Sequence, residues 1–107
     1  MYEHVLSPIE IGGVVVPNRV VRTAHATGIG AGTMSDDLIE YHAARARGGV
    51  GLSILEILSV HPTSPASLNA FDPKLPAGYA KLISRCEPHG MRVFQQIWHA
   101  GHNGSPI

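Results

Sequence analysis

Four polar side chains stand at or near the ends of apolar runs in this 107-residue chain: His25, Glu56, Gln96 and His99. Imidazole and carboxylate groups move protons or hold an electrophile, and a primary amide both donates and accepts a hydrogen bond. In parallel β/α folds the working residues gather at the carboxyl ends of strands, so polar groups there carry more weight than elsewhere. The plain alternative for each one alone is a core polar group hydrogen-bonded to a neighbour. All four at one sheet edge are harder to explain that way.

Two other chemistries are tempting and weaker. The chain has seven histidines, and His99 with His102 is a pair three apart that His25, His61 or His89 would have to complete as a metal site. The spacing is loose and no carboxylate or cysteine stands beside the pair in a ligand motif, so no metal is expected. Gly28-Ile29-Gly30-Ala31-Gly32 lacks the order of a dinucleotide or P-loop fingerprint and reads as a flexible βα loop.

The elements that must position these groups follow from pattern. Two β-branched runs around Gly12-Gly13, from Ile9 to Asn18, predict a hairpin. Arg19 to His25 reads as a first parallel strand. Asp36 and Asp37 open a helix running to Arg47, with Asp37 and Glu40 spaced as a capping box and Gly48-Gly49 as its left-handed cap. Val50 to Val60 is nearly all apolar, as a strand covered on both faces would be, and His61 to Pro76 is a long loop. Tyr79, Leu82, Ile83 and Cys86 mark one face of a second helix, which Pro88 and Gly90 end. Arg92 to His99 is the third strand, and strand alternation turns Gln95 away from the side that Gln96 faces.

This strand and helix alternation forces parallel pairing, so the fold class is α/β. A closed eight-stranded barrel needs about 250 residues. The expectation is therefore a partial (β/α)8 TIM barrel: an N-terminal hairpin plus the first three parallel strands and two helices, with an open edge and poor solubility. Balanced charge, with eight basic and eight acidic residues, argues against nucleic acid or a membrane surface as partner. The first residues lack a secretory pattern, no apolar run approaches membrane-spanning length, and Cys86 is the single cysteine, which together suggest a cytoplasmic protein.

Four ordered segments resemble the successive signatures of the old yellow enzyme family of FMN-dependent barrel oxidoreductases: Leu6–Gly13, Pro17–Val21, Tyr41–Leu52 and Gln96–His102. Thr23–Gly28 is closer to the branch with amine dehydrogenases and 2,4-dienoyl-CoA reductases than to the ene-reductases. The resemblance covers essentially the whole chain and implies residues 1–107 as the N-terminal part of one FMN-binding domain. It implies hydride transfer from NAD(P)H through flavin to or from a small organic substrate. By resemblance, Thr23, Ala24, His25 and Ala26 line the flavin, Ile57 packs near its ring, Gln96 bonds its pyrimidine edge, and Trp98 and His99 lie toward the substrate. Ala26 stands where trimethylamine dehydrogenase has its flavin-bonding cysteine, implying non-covalent FMN. Ile57 replaces an aromatic wall of that enzyme's substrate cage, which speaks against alkylammonium binding. His102 replaces the usual arginine, implying a weaker electrostatic contact to flavin or substrate. The phosphate-binding loops, the substrate-polarising pair and the proton donor would all lie beyond Ile107. The chain alone would then be inactive, either as the first part of an oxidoreductase or as a non-catalytic truncated chain that pairs with the rest of the barrel or with itself.

Overall fold

The computed structural model describes residues 1–105. After a single helical turn, α1 (Glu3–Leu6), strands β1 (Ile9–Ile11) and β2 (Val14–Val16) pair antiparallel around Gly12 and Gly13. Both glycines have positive φ, 57° and 84°, the conformation that a two-residue hairpin turn demands.

A parallel sheet follows, built on β4 (Leu52–Ser59). Along one edge of β4 runs β6 (Arg92–Trp98). The other edge is shared by β3 (Val21–Arg22) near its start and β5 (Leu68–Asn69) near its end. Helices α2 (Asp36–Arg47) and α3 (Leu75–Cys86) cover one face. Between them and the sheet lies the core, centred on Met34, Leu38, Ile39, Leu55, Leu68 and Leu82. The radius of gyration is 15.0 Å, against the ~13 Å of a compact domain this long.

Several boundaries differ from the sequence reading. The first parallel strand, expected over Arg19–His25, contracts to Val21–Arg22. Asn18 pins its start by donating to Gly49 O at 2.8 Å and accepting from Val20 N at 3.0 Å. Gly51 permits this approach, because a Cβ there would lie 2.5 Å from Asn18 Oδ1. Residues 68–69, expected in a loop, form a short strand instead. Helix α3 begins a turn before Tyr79, with Pro76 in its first turn, where a missing N–H costs nothing. The capping box does not form: Ser35, with extended backbone, is the N-cap and accepts from Leu38 N at 3.3 Å. Asp37 is already helical, and Glu40 instead pairs with Arg47 and with Arg85 of α3. Gly48 is right-handed, and the left-handed position is Gly49, with φ of 99°. The glycine-rich loop is a defined turn: Thr33 N donates to Gly30 O at 3.2 Å, and Asn69 reaches Gly32 O at 3.2 Å.

His42 of α2 is buried against β4, with its Nδ1 3.4 Å from Ser53 Oγ and its Nε2 without a partner among the described residues. Burial first, and then the positive charge of Arg22, lower its pKa from 6.5 to about 4, so it is held neutral. The unfolded chain takes up a proton below pH 6.5 that the fold accepts only near 4. The stability contributed by neutral His42 is thus complete above 6.5 and lost as pH falls toward 4. In His42→Gln the decline across this window is expected to flatten by one proton, about 1.4 kcal/mol per pH unit at most. Urea midpoints measured every half pH unit check this; parallel curves for the two proteins would contradict it.

Candidate functional site

The carboxyl ends of β3, β4 and β6 bring the candidate residues to one end of the sheet. Their arrangement depends on an irregularity in β4. Leu55 pairs with Gln95 and Leu58 with Ile97, so two residues, Glu56 and Ile57, stand across from one, Gln96. This is a β-bulge, which bends a strand and re-aims its side chains. Its cost is a carbonyl freed from the ladder, and the Gln95 side chain covers that cost by donating to Glu56 O at 2.7 Å. The side-chain Oε1 of Gln95 in turn accepts from the Tyr79 hydroxyl of α3. Burial raises the Tyr79 pKa, which keeps that donor protonated.

Gln95 therefore faces the helix layer. Strand alternation turns Gln96, with Phe94 and Trp98, to the face the helices leave uncovered. The Gln96 amide is exposed and bonds no protein group among the described residues, although its backbone oxygen accepts from Gln95 Nε2 at 2.9 Å. Ile57, beside it in the bulge, is half-buried and Trp98 likewise. The structure thus brings Ile57, Gln96 and Trp98 together.

Residues 23–26 run beyond the last β3–β4 pair, so this backbone is not occupied by a ladder. The segment is tied down at its far end by Glu56, 2% exposed, whose Oε1 accepts from Thr27 Oγ1 at 2.9 Å and Oε2 from Thr27 N at 3.3 Å. Thr23 and Ala26 are exposed and Ala24 half-buried. The His25 ring turns toward Arg22, its Nε2 3.2 Å from Nη2. Arg22 also donates to Ile54 O and to the Tyr41 hydroxyl, both at 3.3 Å. That hydrogen bond is the main reason the Tyr41 pKa lies below its ordinary 10.

His99 follows β6 and meets Thr63 and, through it, His61, both in the segment after β4. Thr63 Oγ1 lies 2.8 Å from His61 Nδ1 and 3.4 Å from His99 Nε2. No group of three or more metal-binding side chains occurs among the described residues. Nothing in the sequence signalled Thr63, because the contact spans 36 residues. His102 is exposed in the short turn Gly101–Asn103.

The open face suits a flat heteroaromatic ring with a polar edge. It has an unengaged amide able to donate and accept, an apolar side chain next to it, and small residues whose backbone is approachable. A cavity of about 290 Å³ lined by Val15, Pro17, Glu87, Gly90, Met91 and Arg92 lies at the opposite end of the sheet and shares none of these residues.

The chain as a whole is similar to known proteins. Residues 4–105 match the model of the NADH:flavin oxidoreductase / NADH oxidase family. The chain is 38% identical to the NADH oxidase of Thermoanaerobacter brockii over 98% of its own length, and spans 17% of that protein. It superposes with a TM-score of 0.84 on the 6-hydroxypseudooxynicotine amine oxidase of Pseudomonas geniculata N1, at 28% identity over 96% of this chain and 16% of that one. The old yellow enzyme of Trypanosoma cruzi shares the fold, with a TM-score of 0.79 at 20% identity, over 96% of this chain and 29% of that one.

Proposed function

The chain belongs to the NADH:flavin oxidoreductase / NADH oxidase family, and from that premise we propose that residues 1–107 are the N-terminal part of one FMN-binding (β/α)8 domain, the part that faces the isoalloxazine ring. The observation that carries this reading is the bulge, which sets Ile57 beside an unengaged Gln96 amide on the uncovered face. When bound, non-covalent FMN supplies hydride storage, filled from NAD(P)H and discharged to a small organic acceptor.

The residues of this chain bind and orient. Gln96 donates to and accepts from the pyrimidine edge, one side chain serving both functions. Thr23, Ala24, His25 and Ala26 offer backbone contacts, and the two alanines let the ring come close. Ile57 gives apolar contact, and without an aromatic ring there the site lacks one wall for an alkylammonium ion. Trp98 and His99 stand toward the substrate. The outer edge of β6 pairs with no strand among the described residues, and in this reading the next barrel strand takes it.

A comparison of FMN with lumiflavin, the same ring without phosphate, tests the division. Both are expected to shift the Gln96 side-chain amide and Ile57 methyl resonances, with dissociation constants within ~3-fold of each other, under 1 kcal/mol. FMN binding many times tighter would place phosphate contacts inside this chain. Shifts at neither residue up to millimolar ligand would remove the reading altogether.

A further inference from the structure

We propose that His61 is a substrate-binding residue whose Nε2–H fixes an oxygen atom of the organic substrate, a carbonyl or carboxylate, and that Thr63 and His99 hold it in the tautomer this requires. The inference rests on the flavin reading for what lies beneath the substrate. The tautomer argument stands on the hydrogen bonds alone.

A backbone N–H only donates. Gly101 N lies 2.9 Å from His99 Nδ1, so that nitrogen presents a lone pair and a neutral His99 carries its proton on Nε2. His99 Nε2–H then donates to Thr63 Oγ1 at 3.4 Å. With an incoming proton, the Thr63 hydroxyl sends its own to His61 Nδ1, 2.8 Å away. Thr63 N also donates to that same Nδ1, at 3.3 Å. Two donors converge on one lone pair, so neutral His61 carries its proton on Nε2.

Among the described residues nothing bonds His61 Nε2, so its proton is the open end of this hydrogen-bond relay. The ring is exposed, follows the carboxyl end of β4, and lies 6.2 Å centroid to centroid from that of His99. Being a donor with its other nitrogen occupied, it recognises an acceptor and disfavours an ammonium group. The loop is braced from below: Ser64 Oγ, buried, accepts from Ala100 N at 3.0 Å, and Thr63 O accepts from Ser105 N at 2.7 Å. The rims after β4 and β6 are thereby joined, and the donor is held in place before an acceptor arrives.

Imidazole nitrogen–proton correlation spectra of the 107-residue chain above pH 8 test this, with Thr63→Val and Thr63→Ser alongside. Expected are the Nε2–H pattern at His61 and His99 in the parent and in Thr63→Ser, and mixed tautomers at His61 in Thr63→Val. Benzoate, as a carboxylate probe, is expected to shift His61 more than exposed His4 or His89, and to bind about 5-fold more weakly in Thr63→Val, the loss of one hydrogen bond's ordering. A dominant Nδ1–H form at His61 in the parent or in Thr63→Ser overturns the proposal, as do equal benzoate shifts at all exposed histidines. No flavin is added, so these outcomes are separate from the lumiflavin comparison.

Discussion

Leu82→Ala is expected to cost about 2–5 kcal/mol, the usual range for emptying a buried leucine site. Leu82 is fully buried on α3 and belongs to the hydrophobic core cluster of the described residues. It lies where α2 and α3 pack on the sheet's covered face, and among the described residues no helix covers the opposite face and no strand pairs with the outer edge of β6. Val21 at 44% exposure and Ile97 at 70% show how much apolar surface stays open. Among the described residues no second cluster makes up for a loss in this one. Urea titration should therefore show either a transition displaced by roughly 0.7–5 M, given a slope of ~1–3 kcal/mol per M, or no cooperative transition at all. Ile83→Ala is the control: that neighbouring side chain is 43% exposed, and its loss should cost under about 1 kcal/mol. A Leu82→Ala midpoint as close to the parent as that of Ile83→Ala would contradict this account of the core.

What was legible in the sequence was what local periodicity carries. The Gly-Gly hairpin, both helices, the apolar central strand and the third strand were readable because neighbours in sequence are also neighbours on one face. So was the opposite facing of Gln95 and Gln96, a consequence of alternation. The errors lie where distant residues decide. Asn18, bonding Gly49 across 31 positions, sets where the first parallel strand begins. Leu68–Asn69 is a strand only because the far end of β4 has an edge free. Asp37 and Glu40 have capping-box spacing, yet Arg85 lies 45 residues from Glu40 and competes for it. The bulge had no signature in Leu55-Glu56-Ile57-Leu58, since only the register against β6 reveals an extra residue. For the same reason the sequence pointed to Gln96 and His99 but not to the partners that prepare them, Tyr79 with Gln95 and Thr63 with His61.

Glu56→Gln is expected to release the segment that carries Thr23 to Ala26. The Glu56 carboxylate is buried and lies in no salt bridge among the described residues; what keeps it there is the convergence of two Thr27 donors. Thr27 Oγ1 accepts in turn from Ile29 N at 3.2 Å, so the turn after the segment is ordered through the same group. Glutamine is nearly the same size but offers one oxygen where two are used, and its NH2 would meet a second donor. Losing a hydrogen bond to a charged acceptor costs about 1.5–3 kcal/mol, and a donor left buried adds to that. Amide exchange at Thr27 and Ile29 should therefore accelerate at least ~10-fold, the factor that 1.4 kcal/mol represents. The β4–β6 ladder should keep its protection, because Gln95 bonds the Glu56 backbone and not its side chain. Lumiflavin affinity should fall by a similar factor if residues 23–26 meet the ring as proposed, since the cost of ordering them is then drawn from binding. Unchanged exchange at Thr27 would show that the carboxylate holds nothing. Faster exchange with undiminished lumiflavin affinity would show that it holds a segment the ring does not touch.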